Sequence, residues 1–252
     1  MSDAVHALLN RFLGGLREAV PLTALWAHGS LALGDFQPGR SDLDMIAVVA
    51  APVTGPQRTA LGALHARLDA EEPLAAKLHC SYVVVEAIGD PAVSHLTWAH
   101  RELTARPVTE VSRRELHTGD HTLFGPPPRA LLPEVSDAEL AAFVRTDLRT
   151  FWLPATAMPV RWLQDVWVDL GLLTVARATV TLDDGRLITK GEALDVLARL
   201  GAPPAVVADI RARRYGRPLP LPAHRRLRRA QAARAFARAR IKATLTGASG
   251  AS

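Results

Sequence analysis

The sequence predicts an α/β (α+β) chain, with a small mixed sheet backed by helices and an all-helical region after it. Three observations predict this. Short apolar, β-branched runs interleave with helical periodicity in the first third of the chain. A glycine–proline cluster, Phe124-Gly125-Pro126-Pro127-Pro128, can continue neither a helix nor a central strand. Beyond it the pattern is helical, with two capping boxes opening apolar runs.

The elements follow in order. Leu8, Leu9, Phe12, Leu13 and Leu16 stand at helical spacing in the first 20 residues, and Pro21 ends that helix. Leu22 to His28 reads as a strand and Asp44 to Ala50 as a second. A helix from about Gln57 to Ala70 carries Leu61, Leu64 and Leu68 on one face, and Ser81 to Glu86 reads as the third strand. Strand, turn, strand, helix, strand implies a small mixed sheet. The proline cluster is the expected joint, giving a catalytic domain over 1–125 and a helical domain over 126–252. Ser136-Asp-Ala-Glu139 opens a helical run Leu140 to Trp152, and a further helix spans Asp165 to Val180 before a turn at Asp183-Asp184-Gly185. Thr189-Lys-Gly-Glu192 opens a helix to Leu200, Pro203-Pro204 starts another toward Tyr215, and a basic segment follows.

Composition narrows the class. Of 252 residues 48% are apolar and 22% charged, ordinary values for a soluble globular protein. The one cysteine, Cys80, allows no intrachain disulfide, which fits a reducing, cytoplasmic setting. No secretory signal is visible, and the longest apolar run, Met45 to Val53, is too short to span a bilayer, so no membrane partner is expected. The net charge of +5 concentrates in residues 225–242, which hold Arg225, Arg226, Arg228, Arg229, Arg234, Arg238, Arg240 and Lys242 and no acid. Such a run can hold nucleic acid, but its alanine-rich spacing favours a solvated helix face.

The chemistry gathers in residues 28 to 44. Gly29-Ser30 stands between a strand and Leu31-Ala32-Leu33, which looks like a helix start. A glycine there lets backbone approach a phosphate, and the serine hydroxyl adds a donor. Asp42 and Asp44 are two apart, so on a strand both carboxylates project from one face. Carboxylates that close repel unless a cation lies between them, and magnesium held by one or two carboxylates plus substrate phosphates is the usual arrangement for nucleotide chemistry. A capped turn with an exposed Asp44 is the alternative, but it leaves unexplained why Asp44 enters the apolar strand Met45-Ile46-Ala47-Val48-Val49.

Gly29-Ser30 followed by Ser41-Asp42-Leu43-Asp44 resembles the signature of the nucleotidyltransferase superfamily related to DNA polymerase β, in particular the aminoglycoside adenylyltransferases of the streptomycin and spectinomycin type. Phe124-Gly125-Pro126-Pro127, Leu173 to Arg177, Gly185 to Lys190 and Arg211 to Gly216 are similar to later motifs of that group. The resemblance implies that Asp42 and Asp44 bind Mg2+ and that Gly29, Ser30 and Ser41 hold ATP phosphates. It also implies that Arg177, Lys190 and Tyr215 close on the nucleotide. Lys190 opens a capped helix, which suits an anion, although a surface lysine is the plain reading. Arg177 could instead pair with Asp169 or Asp209, and Tyr215 could be a core aromatic.

One departure stands out. The family carries a third carboxylate on the strand after the metal pair, and the matching position here is His79. Histidine can accept a proton near neutral pH, so His79 is one candidate base; an acid from the helical region, Asp165 or Asp169, is another; weakened activity is the third. Asp165 and Asp169, beside Trp162 and Trp167, are also candidate ligands for a cationic acceptor. The expected activity is Mg2+-dependent transfer of AMP from ATP to a hydroxyl of a small molecule, with an aminoglycoside or aminocyclitol implied by the family. The alternatives are a protein or RNA acceptor, or a catalytically impaired nucleotide-binding regulator.

Overall fold

The computed structural model describes residues 2–217 and 220–247. They form two compact units, 1–135 and 136–252.

The first unit opens with α1 (Asp3–Ala19), whose Val5, Leu8, Leu9, Phe12 and Leu16 are buried. Strand β1 (Leu22–Ala27) leads into a single helical turn, α2 (Gly29–Ala32), and β2 covers Leu43–Val49. Helix α3 (Gly55–Glu71) starts from a Thr54/Gln57 capping box and Pro56, and crosses to β3 (Leu78–Val84). Strands β4 (Ser94–Ala99) and β5 (Glu102–Pro107), helix α4 (Glu110–Gly119), β6 (His121–Phe124) and α5 (Pro128–Leu131) complete the unit. The six strands lie in the order β5-β4-β3-β2-β1-β6, with β2 and β3 parallel and every other pair antiparallel.

The mixed sheet is as expected, but half its strands were not visible in the sequence, for physical reasons. Strand β5, Glu-Leu-Thr-Ala-Arg-Pro, is a largely exposed edge with no apolar alternation. The β4–β5 hairpin turns on His100 and Arg101, at φ 53° and 67°, instead of on the Asn-Gly or Asp-Gly that usually marks such a turn. Strand β3 begins three residues earlier than expected and ends at Val84, because Leu78, Cys80 and Tyr82 alternate into the core. Glu86 falls in a 3₁₀ turn beyond the sheet. The glycine–proline stretch lies inside the first unit, where Pro126 O accepts a hydrogen bond from Trp26 Nε1 at 2.8 Å.

Side chains of opposite parity fill two cores. Leu43, Met45, Ala47 and Val49 of β2 pack with α1 and α3, whereas Ile46 and Val48 join Ala24, Trp26, Val83, Val108, Leu116 and Leu132 on the other face. The larger core encloses a histidine. His65 stacks on Trp98 at 4.6 Å between centroids, and its Nε2 lies 2.6 Å from the Tyr82 hydroxyl.

The second unit is helical, as expected: α6 (Asp137–Asp147) continuing through a π turn (Leu148–Trp152), the short α7 (Leu153–Ala155), α8 (Asp165–Asp184), α9 (Lys190–Arg199), α10 (Pro204–Tyr215) and α11 (Ala223–Leu245). Both predicted capping boxes form. Helix α8 runs through Asp183 and Asp184, expected to turn, and only Gly185 takes the left-handed cap. It packs against α6, α9 and α11. Ala230, Ala233, Ala237 and Ile241 form the buried stripe of α11, while Arg225, Arg226, Arg228 and Arg238 are exposed. No helix among the described residues is long and apolar enough to cross a membrane.

His65 gives the fold a pH signature. Burial, with a smaller contribution from His79, pushes its pKa from 6.5 down to about 3. The unfolded chain therefore binds a proton at His65 as the pH falls below its free value while the folded chain does not, and stability drops by about 1.4 kcal/mol per pH unit in that window. Above pH ~6.5 the neutral ring costs nothing of this kind. Urea unfolding at pH 7 and pH 5 should show this slope, and His65→Gln should flatten it. A variant with the parent's slope would contradict the assignment.

Candidate active site

Asp44 is the point from which the site is built. In β2 the alternation places Leu43 and Met45 in the larger core and Asp44 on the opposite face, and Asp42 immediately precedes the strand. The parallel register pairs Asp44 with His79 of β3, and His79 Nδ1 lies 3.4 Å from Asp44 Oδ1. The His100 ring, carried by the strained hairpin turn, meets His79 edge-on at 5.0 Å. Asp42 Oδ1 is 3.3 Å from Lys77 Nζ, both side chains well exposed.

The Gly29 turn lies directly against Asp44. Gly29 has φ +61°, and a Cβ built there would stand 2.8 Å from Asp44 Oδ2. A side chain there would be strained by the backbone conformation and would have to displace the carboxylate. His28, immediately before it, donates its backbone N–H to Asp44 O at 2.9 Å. Ser30 opens α2. Ser41 is buried, and its hydroxyl accepts from Gln37 N at 3.0 Å, so this side chain closes the 37–41 loop that delivers the chain to Asp42.

Two functional candidates escaped sequence reasoning. Glu115 of α4 and His28 form a buried pair, Nδ1 to Oε2 3.3 Å, with side-chain exposures of 8% and 16%. Burial works against protonation of His28, but Glu115 and Asp44 outweigh it and raise its pKa. The position of His28 beside Gly29 was a usable signal; nothing near Glu115 in sequence marked it. His28, Asp44, His79, Thr97, Arg106 and Ser112 line a cavity of about 160 Å³. Among the described residues no group of three or more His, Cys, Asp or Glu side chains is arranged to hold a metal by itself. Asp42 and Asp44 nonetheless suit a hard cation whose remaining ligands are substrate phosphates and water, and glycine at position 29 keeps the backbone beside Asp44 free of a covering side chain.

The remaining sequence candidates lie in the second unit. Lys190 is the first residue of α9, behind the Thr189/Glu192 capping box. Arg177 Nε donates to Ile188 O at 2.9 Å, which ties the α8 side chain to the segment leading into α9. Tyr215 is no core aromatic: it is 43% exposed, at the end of α10, with the Arg214 guanidinium over its ring at 5.3 Å. Asp165 and Asp169 enter an ion network. Arg213 reaches Asp169 at 2.5 Å and Asp209 at 2.5 Å, while Arg229 reaches Asp165 at 2.6 Å and Asp209 at 2.9 Å. Burial disfavours the Arg213 charge, yet its hydrogen bonds to Asp169 and Asp209 outweigh this and raise its pKa. Both acids are thus engaged in holding α8, α10 and α11 together.

The six-stranded mixed sheet, with Asp44 on the interior strand β2, and the helical unit together match the fold of a solved adenyltransferase. Among solved structures, the chain is similar to spectinomycin adenyltransferase AAD(9) from Enterococcus faecialis, determined with ATP and spectinomycin, with a TM-score of 0.67 at 14% identity. The match covers 94% of this chain and 99% of that one. This is a relation of fold. No family model matches the chain, and no curated protein sequence matches it significantly.

Gly29→Ala should cost about 1–2 kcal/mol, the price of a left-handed non-glycine residue, and more if the carboxylate must also move. A urea midpoint equal to the parent's would show that the turn relaxes freely.

Proposed function

We propose that the chain is a nucleotidyltransferase that moves AMP from ATP to a hydroxyl of a small molecule, using Mg2+. The observation that carries this reading is the Gly29 turn set against Asp44: a backbone cradle suited to phosphate beside a carboxylate near the start of β2, where substrate phosphate and cation would meet. The neighbour of the same fold, solved with ATP and spectinomycin, supports the nucleotide and the small acceptor.

In this reading the Gly29–Ser30 turn binds the β- and γ-phosphates through backbone N–H groups and the Ser30 hydroxyl. Asp42 and Asp44 would hold Mg2+, which would supply positive charge to offset the triphosphate. The acceptor hydroxyl attacks the α-phosphorus in line, the new P–O bond forms as the bond to the β-phosphate oxygen breaks, and pyrophosphate leaves. His79, the register partner of Asp44 on the neighbouring strand, takes the hydroxyl proton in place of a carboxylate. Lys190, Arg177 and Tyr215 are proposed nucleotide ligands, with the two cations offsetting charge on the leaving pyrophosphate. An aminoglycoside or aminocyclitol is the acceptor class with which to begin.

The direct test is pyrophosphate release from ATP and Mg2+ across a panel of aminoglycosides and aminocyclitols. Asp44→Asn removes a charge with hardly any change of volume, so release should vanish while the melting temperature holds. Full release by this variant would remove the metal-site assignment.

Lys190→Ala should weaken ATP binding by roughly 1–3 kcal/mol, the loss of one charge-assisted contact. Unchanged affinity by calorimetric titration would return Lys190 to an ordinary surface lysine.

A further inference from the structure

Helix α4 grips the proposed phosphate turn at both ends. At the start of α2, Glu115 Oε2 is 3.3 Å from His28 Nδ1. At its end, Gly119 lies so close to Ala32 that a Cβ at 119 would be 2.5 Å from the Ala32 Cβ and 3.1 Å from the Ala32 carbonyl oxygen. His28 and Ala32 bracket the turn, so its whole length is held between α4 and β2.

His28 is the hinge of this arrangement. Its side chain is fixed by Glu115, and its backbone N–H by the carbonyl of Asp44 at 2.9 Å. The next residue, Gly29, has no free space toward the Asp44 carboxylate. A shift of α2 by a few tenths of an ångström therefore alters the spacing between the phosphate-binding amides and the metal-binding carboxylate. A core position on α4 needs no charge: Leu116, the next residue, fills the smaller core with an apolar side chain. A nearly buried glutamate is costly unless it is paired, and Glu115 is paired with the residue that carries the turn.

We propose that Glu115 is a positioning residue for the phosphate turn, holding Gly29 and Ser30 at their working distance from Asp44 through His28, with Gly119 as the second point of the clamp. The proposal rests on the nucleotide reading of that turn. Glu115 acts through His28 and carries no chemical step.

The test is calorimetric binding of MgATP, with adenosine as the phosphate-free reference and thermal unfolding in parallel. Glu115→Ala should weaken MgATP by about tenfold or more, the usual cost of removing an outer support of a metal or phosphate ligand, and leave adenosine binding unchanged. Glu115→Gln still offers His28 an amide oxygen and should recover most of the affinity. Gly119→Ala should displace α2 and weaken MgATP similarly, and adding Ala32→Gly should restore binding by removing the clash. This second pair keeps the idea testable if Glu115→Ala does not fold. MgATP affinities equal to the parent's in Glu115→Ala or Gly119→Ala would overturn the inference and leave the nucleotide reading standing. Equal losses for MgATP and adenosine would likewise overturn it, since they mark general damage. A parent chain that bound no MgATP would overturn both.

Discussion

A carboxylate cannot be carried into the layer of leucines that α1 and α3 press against the sheet, and Asp44 sits one residue away from that fate. The parallel register of β2 with β3 keeps it out. With Asp44 opposite His79, the alternation sends Leu43, Met45, Leu78 and Cys80 into the larger core and both polar side chains to the other face. A slip of one residue would exchange these sets, burying a charge and exposing methionine. The same parity sends Ile46, Val48 and Val83 into the smaller core, so the site begins where that core ends. Core and site are two readings of one register.

The sequence made legible the parts whose signals are local. Gly29, Asp42, Asp44 and His79 are separated by a turn, one strand and one crossover, and their parities could be read from the apolar pattern around them. The two capping boxes were equally readable, since a cap is a contact between residues three apart. The features that stayed hidden depend on long-range packing. Strand β5 is stabilised by pairing with β4, not by apolar alternation. Glu115 meets His28 across 87 residues of chain. The partners of Asp165 and Asp169 lie on α10 and α11, so two residues that look like free acids on paper are engaged with arginines in the fold.

That network changes what the helical unit offers. Three acids, Asp165, Asp169 and Asp209, meet two arginines, Arg213 and Arg229, whose side chains are 12% and 6% exposed. Breaking one member of a buried ion network leaves its partners uncompensated, at a cost of several kcal/mol. For a cationic acceptor to recruit Asp169 it must therefore compete with a bidentate guanidinium already in place. Asp165, 58% exposed, is the member within easier reach of solvent. It is also held by Arg229, so an acceptor amine there would share the carboxylate, not displace it.

Around the candidate site of the first unit, three acids are each set against a base. Asp42 faces Lys77, Asp44 faces His79, and Glu115 faces His28. Histidine at position 79 is consistent with this balance, since a third carboxylate beside Asp44 would add repulsion to a face that already carries Asp42 and Glu115. The three pairs differ in strength. Asp42 and Lys77 are 38% and 41% exposed, so water screens them and little energy is lost when they part. Glu115 and His28 are mostly buried, so water screens them little and parting them costs more. If a cation binds Asp42 and Asp44 as proposed, it would meet a weak competitor in Lys77, and the buried pair behind Gly29 could stay intact. Exchange of partners would then fall on the solvent side of the site, and the buried pair beside the turn would not have to move with it.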